Sequence, residues 1–217
     1  KYWDGKIRLY NSNNKMLYAG LAPYVEKFAE ERNYNCNVDL EPEDELSAAE
    51  AYSFIEGLNM PLKVRDYQFK AFLHSVRNRR CLLLSPTASG KSLIIYMLVQ
   101  YYGAKSLIIV PTTSLVYQME KDFISYGMHP DDIHIVMAGM DKVSDKRTVI
   151  STWQSVHRLN KDTFDDYDVI VGDEAHLFKA KSLTSIMTKL ESCKYRFGFT
   201  GTLDDTQTHR LVLEGLF

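Results

Sequence analysis

Six short apolar runs, at 81–85, 106–110, 133–137, 147–151, 168–172 and 195–199, are separated by longer stretches whose apolar residues recur at helical spacing, as Leu183, Ile186, Met187 and Leu190 do. Strands that are apolar almost without interruption are buried on both faces, and helices between them supply the cover. The chain beyond Pro61 therefore predicts an α/β domain built on a mostly parallel sheet. With 217 residues, 45% of them hydrophobic, it can bury a sizeable core in one or two domains. No internal repeat or low-complexity segment interrupts the pattern.

The first sixty residues read differently. Residues 1–10 alternate, with Trp3, Gly5, Ile7 and Leu9 on one face and Tyr2, Asp4, Lys6, Arg8 and Tyr10 on the other, which predicts a half-buried strand. Asn11-Ser12-Asn13-Asn14 is turn chemistry, and Met16-Leu17-Tyr18-Ala19 predicts the return strand of a hairpin. Leu21, Tyr24, Val25, Phe28 and Ala29 fall at helical spacing, and a short alternating run (Cys36, Val38, Leu40) precedes an acidic loop. Ser47 with Glu50 forms a capping box for a helix whose apolar stripe is Ala51, Phe54, Ile55 and Leu58. Gly57 to Pro61 ends that helix, giving an expected small α+β domain over 1–58 and a larger domain over 59–217.

A net charge of −2 carries no overall basic signature, but the charge is segregated. Lys1, Lys6, Arg8 and Lys15 against Asp4 give residues 1–20 a charge of +3, whereas ten acids against Lys27 and Arg32 give residues 26–56 a charge of −8. A positive N-terminal patch for nucleic acid is compatible with that distribution. Cys36, Cys81 and Cys193 are widely spaced and form no Cys-x-x-Cys pair, so neither a disulfide framework nor a zinc site is indicated. The longest apolar runs fall far short of the ~20 residues of a membrane span, so no membrane partner and a cytoplasmic location are expected.

Chemistry concentrates after two of the apolar runs. Leu82-Leu83-Leu84 leads through Ser85-Pro86-Thr87-Ala88-Ser89-Gly90 into Lys91-Ser92 and a second apolar run. A loop that turns backbone N–H groups toward one point, just before a helix N-terminus, is suited to nucleotide phosphates. Lys91 would reach the β- and γ-phosphates and Ser92 would hold Mg²⁺. Taken alone, the stretch also fits an ordinary strand-to-helix turn. Its companion is Val169-Ile170-Val171-Gly172-Asp173-Glu174-Ala175-His176, a buried strand ending in two acids and a histidine. Parallel-sheet enzymes bind ligands at the carboxyl ends of their strands, so loop and acids would share one crevice. Asp173 can complete the Mg²⁺ shell opposite Ser92, and Glu174 can orient or deprotonate an attacking water.

These features resemble a superfamily-two helicase or translocase of the DExH type, whose fold is a RecA-like P-loop domain. In that resemblance 85–92 is motif I, with Pro86, Thr87, Ala88, Ser89, Gly90, Lys91 and Ser92 around the nucleotide, and Asp173-Glu174-Ala175-His176 is motif II. Pro111-Thr112-Thr113-Ser114-Leu115 with Gln118 is similar to motif Ia, Ser151-Thr152-Trp153-Gln154-Ser155 to motif Ib, and Thr200-Gly201-Thr202 to motif III. Arg65-Asp66-Tyr67-Gln68 resembles the segment whose glutamine reads adenine. The order and spacing match throughout 62–203. Ser85 and Ala88 depart from the small or glycine residues usual in motif I. Trp3-Asp4-Gly5-Lys6-Ile7-Arg8-Leu9, with Ile109 to Thr113 and Thr152 to Ser155, narrows the resemblance to the UvsW-type recombination and repair helicases of T-even bacteriophages.

The resemblance implies ATP and Mg²⁺ as cofactors, DNA as partner (branched or single-stranded, with RNA not excluded) and a host-cytoplasmic location for a phage protein. It implies catalytic roles for Lys91, Asp173, Glu174 and His176, and coupling of nucleotide state through Thr200, Gly201 and Thr202. Thr112 and Thr113 in motif Ia, and Thr152 and Gln154 in motif Ib, would contact nucleic acid, joined by Lys6 and Arg8 of the hairpin. Thr112, Thr113 and Thr152 also suit plain N-caps, and Arg77, Arg79 and Arg80 a solvated helix end. A second RecA-like domain with arginine fingers is implied beyond Phe217, so that this stretch alone would be nearly inactive. A restriction-enzyme motor, an RNA helicase and a nucleotide-dependent DNA-binding module remain open alternatives.

Overall fold

The computed structural model describes residues 8–39, 45–86, 88–137, 139–177, 180–202 and 207–217, without the side chains of 180, 181 and 207–209. A short antiparallel hairpin, β1 (Tyr10–Asn11) with β2 (Met16–Leu17), is followed by α1 (Ala22–Glu30), α2 (Ala48–Gly57) and α3 (Asp66–Asn78). Then come β3 (Arg80–Leu84), α4 (Lys91–Tyr102), β4 (Ser106–Val110), α5 (Thr113–Tyr126), β5 (Ile133–Val136), β6 (Thr148–Thr152) and α6 (Trp153–Val156). The last elements are β7 (Val169–Gly172), α7 (Ala180–Met187), β8 (Tyr195–Thr200) and α8 (Gln207–Leu216). Strands β3 to β8 form one sheet in the order β3-β8-β7-β4-β6-β5, every pair parallel, as the apolar runs predict. The carboxyl ends of β3, β7 and β8 lie side by side, so the loops after them meet at one edge of the sheet.

Burial explains the pattern. Every residue of β4, β6 and β7 is buried. Helix α4, apolar on all sides from Leu93 to Val99, is buried along that whole stretch as a central helix must be. One apolar cluster joins α2, α3, α4 and α5 to the sheet, and a second on the opposite face joins α7 and α8.

The N-terminal part differs from its reading in extent. The residues expected to open the strand, 1–7, lie outside the described residues. The hairpin described is only two residues per strand and exposed, and 36–39 form no strand. The capping box of α2 is present: Ser47 Oγ accepts from Glu50 N at 3.2 Å, and Glu50 Oε2 from Ser47 N at 2.9 Å. Ala51 and Ile55 of α2 enter the same cluster as Phe69 and Phe72 of α3, so the helix grouped with the small domain packs on the large one. Residues 18–24 dock on α8. A Cβ on Gly20 would fall 1.9 Å from the Glu214 carbonyl oxygen, and Tyr24 Oη donates to Glu214 Oε2 at 2.5 Å. Among the described residues, no helix is long and apolar enough to cross a membrane.

The arginine run is not a solvated helix end. Arg77 Nε donates to the Leu46 carbonyl at 2.9 Å, tying the start of α2 to the end of α3. Arg80 Nη2 reaches the Leu216 carbonyl at 3.5 Å. Its register partner in β8, Arg196, is buried and donates to the carbonyls of Met187 (3.2 Å), Leu190 (2.5 Å) and Cys193 (3.3 Å). Two neighbouring arginines thus close the carboxyl ends of α7 and α8, where the helix dipoles favour cations.

Candidate nucleotide site and nucleic-acid interface

The loop 85–90 leaves β3 and turns sharply into α4. Gly90 at φ +73° and Ala88 at φ +64° both take left-handed backbone, and Ser85 Oγ bonds Ser89 Oγ at 2.6 Å across the loop. Among the described residues no side chain caps α4; Leu93 N bonds the Gly90 carbonyl at 3.2 Å, and the start of the helix is otherwise open to an anion. A Cβ on Gly90 would fall 2.4 Å from Gln68 Nε2, which holds that position to glycine twice over. Thr87 lies outside the described residues.

Lys91 projects from the first position of α4 into the acids that follow β7. It pairs with Glu174 Oε1 and stands 3.6 Å from Asp173 Oδ1, with its side chain 10% exposed. Asp173 is buried, and burial pushes its carboxyl above the ordinary range despite the opposing pull of Lys91. Asp173 Oδ1 also accepts from Glu174 N at 2.9 Å, and Glu174 sits at φ +50°. His176 Nδ1 lies 2.8 Å from Thr200 Oγ1 and 3.5 Å from Glu174 Oε2. Thr200 gives its one proton to the Thr202 carbonyl at 2.6 Å, so it accepts from His176 and Nδ1 carries the hydrogen. Motifs II and III are thereby joined by hydrogen bonds; Gly201 lies inside that turn.

Three expected residues have other partners. The Ser92 hydroxyl is 2.9 Å from Tyr126 Oη. The Gln68 side chain is buried and fully engaged: Oε1 accepts from Arg65 N at 3.0 Å, and Nε2 faces the carbonyls of Ser89 and Gly90 at 3.2 and 3.3 Å. It braces the phosphate loop from below. Thr152, buried, spends its hydroxyl on Ser155 Oγ at 2.9 Å, which makes it a brace for the turn into α6 and not an exposed phosphate contact. Sequence reasoning also passed over Tyr67, whose hydroxyl accepts from Arg65 Nη1 (3.0 Å) and donates to the Ser89 carbonyl (2.8 Å). Tyr67, Leu83, Leu84 and Pro86 line a hollow of about 410 Å³ beside the loop.

On the neighbouring strands, Thr112 caps α5 by accepting from Leu115 N at 3.3 Å, leaving Thr113 and Ser114 exposed at the helix start. Exposed Gln154 reaches the Pro111 carbonyl at 3.5 Å and so links the two crevices. Lys189, at the end of the segment following α7, donates to the carbonyls of His157 (2.8 Å) and Leu159 (2.7 Å) and fixes the chain after α6. Arg8 is exposed, and Lys6 lies outside the described residues.

A parallel sheet with a glycine-turned loop at one strand end, and a lysine facing a buried aspartate and a half-buried glutamate, is the arrangement of a RecA-like domain. The family model described as Type III restriction enzyme, res subunit, matches residues 61–205, and that for the N-terminal part of the DNA helicase UvsW matches residues 1–39. The chain is 33% identical to the ATP-dependent DNA helicase UvsW of Enterobacteria phage T4 over 99% of its own length and 46% of the relative. A crystal structure of that helicase superposes with a TM-score of 0.89, covering 99% of this chain and 82% of the other. The DNA 3'-5' translocase XPB2 of Sulfurisphaera tokodaii is 25% identical over 92% of this chain and 43% of the relative. The chain thus belongs to the superfamily-two helicase family, in its UvsW-type branch, and spans about half the length of these curated relatives.

Proposed function

We propose that this chain supplies the ATP-binding half of an ATP-dependent DNA helicase or translocase that acts on branched or recombination-intermediate DNA. The observation that carries the reading is the Lys91–Glu174 pair beside buried Asp173, at the uncapped start of α4. Phosphates arriving at the loop offer Lys91 a better partner, and Lys91 then releases Glu174 to take a proton from water. The donor set fits a hydrated magnesium ion: such an ion takes one or two carboxylates with the phosphates and keeps several waters, and Asp173 with Ser92 would hold it. When bound, it would neutralise charge developing on the phosphate oxygens. Tyr67, which lines the hollow beside the loop, and Arg65, bonded to its hydroxyl, would flank the base.

His176, donating to Thr200, would report the state of Glu174 to motif III. Thr112, Thr113 and Gln154 form one exposed track across β4 and β6 for a nucleic-acid backbone, and Lys6 with Arg8 would add phosphate contacts from a small domain over 1–58. The motor domain over 59–217 would work against a second RecA-like domain in cis, which relatives of twice this length have room for.

The test is Glu174→Gln in the full-length protein, measuring nucleotide affinity beside DNA-stimulated hydrolysis. Affinity should hold while turnover falls at least a hundredfold, about the contribution of a positioned general base. Undiminished turnover would remove Glu174 from catalysis and leave a binding module.

A further inference from the structure

Ser92 and Tyr126 are 34 residues apart, on the first turn of α4 and the last residue of α5, yet their hydroxyl oxygens lie 2.9 Å apart. The tyrosine is held there by its surroundings. Its ring is 5.4 Å from that of Tyr96, which stands 5.6 Å from Phe123, and both contacts are edge-on. Gly127, at φ +113°, ends α5 directly after it, with Gly127 N bonded to the Ile124 carbonyl at 3.1 Å and Met128 N to the Phe123 carbonyl at 3.0 Å.

A serine hydroxyl has one proton and two lone pairs. To face a cation with its lone pairs it must send its proton elsewhere, and side chains that take up such a proton orient the ligand. We propose that Tyr126 is a positioning residue for the metal-binding hydroxyl of Ser92, accepting its proton and so aiming its lone pairs toward the cation that accompanies the nucleotide. The inference rests on the reading of Ser92 as a metal ligand. It assigns to α5, otherwise the helix of motif Ia, a direct hold on motif I through one hydroxyl.

The test titrates Mg²⁺ against binding of a fluorescent ATP analogue, for the parent chain, Tyr126→Phe, Ser92→Ala and the double variant, with a parallel series in EDTA and a thermal melt of each. Phenylalanine keeps the ring and removes only the oxygen. Tyr126→Phe should raise the Mg²⁺ concentration needed by about 10-fold, the lower end of what loss of a ligand-orienting partner costs. Its affinity in EDTA should match the parent's, and the double variant should be no worse than Ser92→Ala alone. A parental Mg²⁺ titration in Tyr126→Phe, with Ser92→Ala impaired, overturns the inference and leaves the metal reading standing. Equal losses in Mg²⁺ and in EDTA overturn it by showing a packing role. A parental titration in Ser92→Ala overturns the metal reading itself.

Discussion

The two edges of the parallel sheet bury cations in opposite ways. At the amino ends of β3 and β8, Arg80 and Arg196 lie side by side with carbonyls as their hydrogen-bond partners, Leu216 for one and Met187, Leu190 and Cys193 for the other. Burial pulls Arg80 down to about 10, still far above physiological pH, so it remains charged; burial lowers Arg196 as well. At the carboxyl ends, Lys91 is paired with two acids from another loop, among residues forced into left-handed backbone at Ala88, Gly90 and Glu174. Carbonyls at helix ends cannot leave, so the first arrangement is permanent. Carboxylates on a strained turn can exchange partners, so in the proposed function the second arrangement would keep a place for phosphates.

The largest expected effect separates the edges by function. Lys91→Ala should weaken nucleotide binding by about thirtyfold or more, the ~2–5 kcal/mol typical of truncating one partner of a buried charged contact. Arg196→Met should leave nucleotide affinity of the folded protein unchanged while costing about 3 kcal/mol of stability, since each carbonyl left buried without a donor costs ~1–3 kcal/mol. Calorimetry should record that as a melting temperature lower by on the order of 10 °C. Nucleotide affinity lost in Arg196→Met at parental stability would break the comparison.

Asp173 tests whether the site sacrifices stability for function. Its carboxyl is raised by burial, so the fold disfavours the ionised form; the destabilisation is absent below the unfolded-state value and complete above the folded one. Asp173→Asn should therefore melt higher than the parent at pH 7, by about 0.5–2 kcal/mol, as relief of a functional compromise commonly gives. The advantage should shrink as pH falls through the carboxylate range. Metal-dependent nucleotide binding should be lost in the same variant. An advantage that persists unchanged at pH 3 would place its origin elsewhere.

What the sequence made legible follows from the same division. The six strands were readable to within a residue at most ends, for instance 195–199 against Tyr195–Thr200, because strands covered on both faces need unbroken apolar runs. Motifs I and II were readable because each is a contiguous string attached to such a strand. The partners of Arg77 and Ser92, 31 and 34 residues away, were not, since each is met only after helices pack together. A lone arginine in a strand, or a tyrosine thirty-four residues from a serine, has no period to betray it. The placement of α2 was hidden for a similar reason: its apolar stripe says that it packs, not on what.

The smallest effect asks whether the strain at the carboxyl edge is itself needed. Ala88 holds φ +64°, a conformation that costs an L-residue about 1–2 kcal/mol. Glycine would remove that cost but adds unfolded-chain entropy worth about 0.4–1 kcal/mol. The Ala88 methyl is exposed, so its loss forfeits no packing. The difference favours Ala88→Gly by up to about 1.6 kcal/mol, a rise of a few degrees in melting temperature for a chain of this length. Nucleotide affinity should stay within about threefold of the parent, because the φ angle the loop requires is one glycine already prefers. A stabilised variant with parental affinity would mark the strain at Ala88 as incidental, unlike that at Glu174, whose carboxylate must face Lys91. A stabilised variant that binds nucleotide tenfold more weakly would instead show that the alanine holds the loop rigid for phosphate, and the strained backbone would then belong to the site as fully as its charges do.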